Sequence, residues 1–350
     1  MKMNMDQWTK ELLEAPMKKA FPVLSFPSIQ LMGITVKELI SSSDLQAQGM
    51  KAVADRTPHA GGAVSLMDLS VEAECFGAPI RVEDHEVPTV TGAILDADAE
   101  EEERMEAAEA MEVPKVGVGR TQIYIDAIAK ATELITDRPV FAGVIGPFSL
   151  AGRLLGVTDA MIYCFDEPDM VHVVMEKATE FIIKYILAYK EVGANGVVIA
   201  EPLAGLLSPS LAQEFSGDYS KKIVDAVRDE NFAVIYHNCG NSANQTMDSI
   251  LCCGANAYHF GNAVDMKEIM EKAPADVICM GNVDPAAQFR NGTPESIRKE
   301  TLEVMEKCCS YPNFVISSGC DIPPLSSWDN IDAFFAAVDE FYQKQMVFME

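Results

Sequence analysis

The sequence predicts an α/β protein of the (β/α)8 TIM-barrel class, with an N-terminal helix and an elaboration after the second strand. Three observations carry that prediction. Eight short apolar or β-branched runs alternate with longer stretches of helical periodicity, the pattern of parallel strands joined by right-handed crossovers. Acids, amides and soft metal ligands gather directly after those runs, where a barrel of this class keeps its chemistry. The chain has 350 residues, more than the ~250 typical of the fold, which leaves room for an insertion.

Taken in order, residues 6–20 read as a helix broken near Pro16. The eight strands are expected at Val23-Leu24-Ser25-Phe26, Ala63-Val64-Ser65-Leu66-Met67, Val140-Phe141-Ala142-Gly143-Val144-Ile145 and Val197-Val198-Ile199-Ala200. They continue at Ala233-Val234-Ile235-Tyr236, Ala257-Tyr258-His259-Phe260, Val277-Ile278-Cys279-Met280 and Phe314-Val315-Ile316-Ser317. Residues 168–192 space Met170, Val173, Val174, Ala178, Phe181, Ile182, Tyr185 and Ile186 by threes and fours, which predicts a long helix. The same spacing recurs over 210–228, with Ser208-Pro209-Ser210 as its start signal. Residues 77–113 form the elaboration. With no internal repeat and no low-complexity linker, one domain over 1–350 is expected.

Composition excludes several function classes. A net charge of −26 argues against a nucleic-acid partner, because phosphate contacts need clustered Lys and Arg. Part of that charge lies in Asp96-Ala97-Asp98-Ala99-Glu100-Glu101-Glu102-Glu103, which reads as a solvated helix start. No run approaches the ~18 apolar residues of a membrane span. Met1-Lys2-Met3-Asn4-Met5-Asp6-Gln7-Trp8 has no signal-like apolar run behind its lysine, so a cytoplasmic location is expected. Nine scattered cysteines suit reduced thiols, and Cys252-Cys253 and Cys308-Cys309 are expected in the core.

The chemistry is expected at the strand ends. A strand has a side-chain period of two, so His237 and Cys239, after Ala233-Val234-Ile235-Tyr236, point to one face. One imidazole and one thiolate are half of a tetrahedral zinc site. Cys320, after Phe314-Val315-Ile316, is the best third donor, and three protein ligands with an open position describe a catalytic zinc. Glu201 is a candidate fourth, oxygen ligand that a thiolate could displace; its alternative is a pair with Arg or Lys. Asp68, Asn282 and Asp284, at the ends of other runs, are expected to contact substrate or cofactor. His259 and Cys279, inside strands, are expected in the core. His59, His85 and His172 lack partners in sequence and read as packing or surface residues.

These residues resemble the uroporphyrinogen decarboxylase superfamily, in particular its zinc-dependent methylcobamide:coenzyme M methyltransferase branch. The resemblance covers nearly the whole chain. It rests on Asp68-Leu69-Ser70-Val71-Glu72-Ala73-Glu74, Gly146-Pro147-Phe148-Ser149, Glu201-Pro202-Leu203-Ala204-Gly205 and His237-Asn238-Cys239-Gly240. It continues through Gly281-Asn282-Val283-Asp284-Pro285 and Ser318-Gly319-Cys320-Asp321-Ile322-Pro323. His-x-Cys with a distant Cys is specific to that branch. True decarboxylases carry arginines near the N-terminus that hold substrate carboxylates, and Phe26-Pro27-Ser28-Ile29-Gln30-Leu31-Met32 has none. Cys320 stands where the decarboxylases have a late histidine, and Pro202 where they have a serine. These departures argue against porphyrinogen decarboxylation.

The resemblance implies Zn2+ as cofactor, a methylcobamide on a separate corrinoid protein as methyl donor, and a small thiol such as coenzyme M as acceptor. His237, Cys239, Cys320 and Glu201 are then the metal ligands and catalytic residues, with Asp68, Asn282 and Asp284 near the cofactor. The alternatives are the same enzyme with another methyl acceptor in a bacterium, or a non-catalytic partner that binds a corrinoid or tetrapyrrole in the barrel mouth. Neither nucleic acid nor membrane is an expected partner.

Overall fold

The computed structural model describes residues 3–347; Met1 and Lys2, part of the stretch read for a signal, lie outside the described residues. Among the described residues there are nine strands: β1 (Ala63–Val64), β2 (Ile80–Arg81), β3 (Thr89–Val90), β4 (Val140–Ile145), β5 (Gly196–Ala200), β6 (Ala233–Asn238), β7 (Ala257–Phe260), β8 (Ile278–Val283) and β9 (Phe314–Ser318). Seven of them form one parallel sheet in the order β1-β4-β5-β6-β7-β8-β9, curled into a TIM-barrel-like fold. Strands β4 to β9 are buried along their whole length, as continuous apolar runs between crossover helices should be. Among the described residues no single helix is long and apolar enough to cross a bilayer.

The first expected strand is not a regular one. Residues 20–26 nevertheless occupy its place in the seam between β9 and β1. Phe21 N donates to Ile316 O at 3.0 Å and Gly61 N to Ala20 O at 2.8 Å. Pro22 has no N–H to give a ladder, and Pro27 stops the run, so serine side chains complete the pairing. Ser317 Oγ donates to Phe21 O (2.7 Å), Val23 N donates to Ser318 Oγ (3.0 Å) and Ser25 Oγ donates to Ser65 O (3.1 Å).

Alternation along the strands sorts side chains into two cores. Phe141, Val198, Ala200, Ala233, Ile235, Ala257, Ile278, Met280 and Val315 point into the barrel. Their neighbours Val197, Ile199, Val234, Tyr236, Tyr258, Cys279, Phe314 and Ile316 face the helices. The N-terminal helix Met5–Glu14 ends at Ala15, just before Pro16, and closes the barrel floor. Its Trp8 packs on Phe21 and Phe141 with ring centroids 6.1 and 5.5 Å apart, and Met5 N donates to Glu230 O, just ahead of β6.

Other elements follow the sequence with one interruption. Pro168–Glu191 is a single helix, whereas the helix expected over 210–228 is broken by a π-helical stretch, Gln213–Gly217, between Pro209–Ala212 and Asp218–Val227. The elaboration is an antiparallel hairpin, β2 with β3, followed by the acidic helix Glu101–Ala110. That hairpin overhangs the carboxyl end of the barrel and walls the cavity there.

Candidate metal centre

The inward parity of β6 runs Ala233, Ile235, His237 and continues to Cys239 in the turn beyond. β9 delivers Cys320 two residues past its end. The ligand-capable atoms of His237, Cys239 and Cys320 all lie within 4.8 Å of one another, and Cys320 Sγ is 3.4 Å from His237 Nε2. Among the described residues this is the one such cluster of potential metal ligands. Backbone packs unusually close beneath it. A Cβ on Gly261 would stand 2.5 Å from Cys239 Cα, and one on Gly205 would stand 2.4 Å from Gly240 Cα.

Hydrogen bonds fix which nitrogen of His237 is free. A carbonyl only accepts, so Ser317 donates its hydroxyl to Phe21 O (2.7 Å) and must accept from His259 Nε2 (2.7 Å). That leaves His259 Nδ1 bare, 2.7 Å from His237 Nδ1, which therefore carries the proton and has His259 O as a second acceptor at 3.2 Å. The lone pair of His237 Nε2 is then left facing the two sulfurs, the tautomer a metal ligand requires. Burial and the neighbouring His237 hold His259 well below an ordinary imidazole pKa, consistent with its neutral role. The cysteines titrate apart. Cys320 donates a hydrogen bond that lowers the pKa of Cys239, and the same bond together with burial raises that of Cys320.

Two thiols and one imidazole are a soft donor set that suits zinc. All three residues line one side of a cavity of roughly 630 Å³, which leaves a face open for a substrate atom. Val23, Met67, Leu69, Val198, Ala200 and Pro202 give the cavity an apolar wall, while Arg153 and Asp321 are ionisable groups of the barrel itself. The β2–β3 hairpin adds Arg81, Glu83 and Glu86.

Four sequence-predicted site residues are not brought to this cavity. Glu201 falls on the opposite parity from Ala200 and Pro202; its carboxylate accepts from Phe148 N (3.0 Å) and Ser149 N (2.6 Å) at the start of helix Pro147–Leu155. It is thus held by a helix N-terminus rather than by an arginine or lysine, and burial raises its pKa to about 7 despite those bonds. Asp68, flanked by the cavity residues Met67 and Leu69, turns away to an ion pair with Arg120 and a 2.7 Å bond from Tyr124 Oη. Asn282 donates to Gly261 O (3.0 Å) and Val264 O (2.8 Å), which ties the loop after β7. Asp284 accepts from Ala286 N and Ala287 N, both at 2.8 Å, and so caps the stretch Pro285–Arg290. Both sit in a separate pocket with Glu300 and Lys307.

Sequence reasoning passed over three residues. His259 lies in the core, as expected of a residue inside a strand, but its register opposite His237 makes it that residue's partner. The signal was present: two histidines of equal parity on adjacent strands. Ser317 belongs to the same inward row, and Arg153 follows the Gly146-Pro147-Phe148-Ser149 motif on the helix that starts there. Cys253, Cys279 and Cys308 are buried apart from the site, and all nine cysteines are free. His172 stacks on Phe215 and bonds Tyr219 Oη (2.8 Å), a packing role.

Known proteins share this architecture. The sequence pattern of the uroporphyrinogen decarboxylase (URO-D) family matches residues 11–341. A methylcobamide:CoM methyltransferase, MtbA, of Methanosarcina acetivorans is 28% identical over 271 residues, 75% of each chain. A uroporphyrinogen decarboxylase of Coxiella burnetii is 27% identical over 244 residues, 66% of each. Of solved structures, a methyltransferase from Methanosarcina mazei superposes on 97% of this chain and 99% of its own, with a TM-score of 0.82 and 25% identity. A B12-independent methionine synthase from Shewanella, at 10% identity and a TM-score of 0.56 over 95% of this chain and 98% of its own, shares the fold alone.

Proposed function

The chain belongs to the uroporphyrinogen decarboxylase family, and from that premise we propose that it is a zinc-dependent methyltransferase, exchanging a methyl group between a methyl-corrinoid on a separate protein and a small thiol. The observation that carries the reading is the convergence of His237 Nε2, Cys239 Sγ and Cys320 Sγ at one side of an open cavity. A zinc ion held there would supply Lewis acidity, so that a thiol bound beside it loses its proton at neutral pH. His259 and Ser317 hold the His237 ring in the ligating tautomer. The apolar wall from Val23, Met67, Leu69 and Val198 excludes water from the thiol. In the transfer the substrate sulfur takes the methyl group and cobalt keeps the electron pair, passing from Co(III) to Co(I). Porphyrinogen decarboxylation fits poorly, because stretch 26–32 has no arginine for the substrate's many carboxylates. Nine free cysteines suit a reducing cytoplasm.

The test is demethylation of methylcobalamin, followed in the corrinoid spectrum with zinc-loaded, chelator-stripped and zinc-restored protein and a panel of thiols. Turnover is expected only with zinc, and Cys239→Ala and Cys320→Ala are expected to lose both metal and turnover. Stoichiometric zinc in both variants, or no demethylation with any thiol, would overturn the proposal.

A further inference from the structure

Two sulfurs in the cavity wall stand close enough to react with each other. Cys239, in the turn after β6, and Cys320, past the end of β9, present Sγ atoms within 4.8 Å of one another. A disulfide brings its sulfurs to ~2.0 Å, so the gap left to close is under about 3 Å. Each sulfur swings on a single rotatable bond from its backbone. Both flank an open cavity of roughly 630 Å³ and are only partly buried, so a small solute reaches them. In the sheet β7 and β8 lie between β6 and β9, so the ladder keeps the two thiols within reach and a bond between them would cross the barrel end.

The other seven cysteines lack this arrangement. Cys252 and Cys253, like Cys308 and Cys309, are neighbours in sequence. One peptide holds such Cα atoms ~3.8 Å apart, short of the ~4.4 Å at which unstrained disulfides begin. Cys164, Cys253, Cys279 and Cys308 are buried, and Cys75 donates its S–H to Val118 O at 3.2 Å.

We infer that Cys239 and Cys320 are a reversible redox pair: with no metal between them, a hydroperoxide joins them as a disulfide, and metal and disulfide exclude each other. One sulfur takes an oxygen from the peroxide and becomes a sulfenic acid, and the first water leaves. The second sulfur displaces that oxygen as a second water while the S–S bond forms. The two thiols give up two electrons and two protons, and both peroxide oxygens end as water. A dithiol reverses the step by exchange. The linked pair has no thiolate left for a cation, and the His237 imidazole alone is too few donors to hold one. Bond formation needs only the sulfur geometry, whereas the exclusion of metal rests on the zinc reading.

The test treats the full chain, reduced and stripped of metal by a chelator, with a small excess of hydrogen peroxide. The protein is then denatured in an alkylating agent and weighed by mass spectrometry. Seven alkylated thiols are expected in place of the nine of the reduced protein, with a peptide map that links Cys239 to Cys320. Dithiothreitol is expected to restore all nine thiols and zinc uptake, and zinc-loaded protein to link at least about tenfold more slowly, because a metal-bound sulfur is the poorer nucleophile. Cys239→Ser and Cys320→Ser are expected to abolish the link, with dimedone trapping the remaining sulfur as its sulfenic acid in at least one of them; circular dichroism checks that both fold. Nine free thiols after peroxide, a link between other cysteines, or zinc uptake by the linked protein overturns the inference, as does linking at the same rate with zinc bound. Zinc content of the reduced protein, measured separately, judges the metal reading: a protein that takes no zinc yet forms the link sinks that reading and leaves the bond.

Discussion

Replacing Gly261 by alanine tests how tightly Cys239 is seated. The added Cβ would lie 2.5 Å from Cys239 Cα, 2.6 Å from its Cβ and 3.0 Å from its carbonyl oxygen. Carbon atoms in contact prefer ~3.5–4.0 Å, so the two backbones must part by about 1 Å. Gly261 N donates to Asn238 O at 3.1 Å, so the loops cannot separate without straining that bond. The φ of Gly261 lies outside the left-handed region, so alanine meets no backbone penalty and the clash acts alone. Overpacking of this kind costs about 1–3 kcal/mol of stability. Its effect on a metal should be larger in proportion, because ligand distances tolerate only about 0.2 Å. Gly261→Ala is therefore expected to weaken zinc binding by at least about tenfold, the scale of losses seen when support around a ligand is removed. Competition with a chromophoric chelator measures this, and urea unfolding measures the stability term. Gly254→Ala is the control: its φ of +73° is strained, nothing lies within 4 Å of the added carbon, and it should cost about 1 kcal/mol with zinc affinity intact. Wild-type zinc affinity in Gly261→Ala would refute the reasoning.

Two further expectations follow from buried groups. Burial raises the Glu72 carboxyl from 4.5 to about 8, although its Oε1 accepts from Ile145 N at 3.0 Å. With the folded value above the unfolded one, its contribution is fully present below pH 4.5 and is lost as pH rises towards 8, by about 5 kcal/mol at most. Glu72→Gln keeps the acceptor without the charge. It should therefore gain stability relative to the native protein between pH 5 and 9, and a flat difference in urea midpoints would contradict this. His259→Phe removes the ring acceptor for His237 Nδ1 but leaves His259 O at 3.2 Å, so zinc affinity should fall near the lower end of the ~10–100-fold range. An unchanged zinc dissociation constant in folded His259→Phe would contradict the tautomer argument.

Much of the fold and part of the site were legible in the sequence. Seven of eight strands were read from apolar runs because crossover helices bury both faces and leave an unbroken signal. Residues 20–26 were apolar enough to look alike, and only the missing N–H of Pro22 and the flanking Pro27 separate a seam from a ladder. The triad was legible because His237 and Cys239 share a parity that continues the inward row of Ala233 and Ile235. The same rule, continued from inward Ala200, sends Glu201 outward, whereas after β1 the alternation slips between inward Val64 and inward Met67, so Asp68 turns outward although it shares the parity of Val64. Polar residues at the rim therefore do not all belong to one site. Arg153 was not legible at all, since its place in the cavity wall is a three-dimensional property.

The seam has a consequence for how the molecule is made. Bonds from Phe21 and Val23 reach Ser317 and Ser318, partners 296 and 295 residues away in the chain. During synthesis the early half of this contact leaves the ribosome long before its counterpart exists, and the last donor sulfur, Cys320, emerges with that counterpart. Until then a nascent chain can offer only the imidazole and one sulfur, a pair that grips a cation weakly. Were this cluster to hold a metal, its full donor set would therefore form only as the barrel closes, and a truncated or stalled chain would lack it.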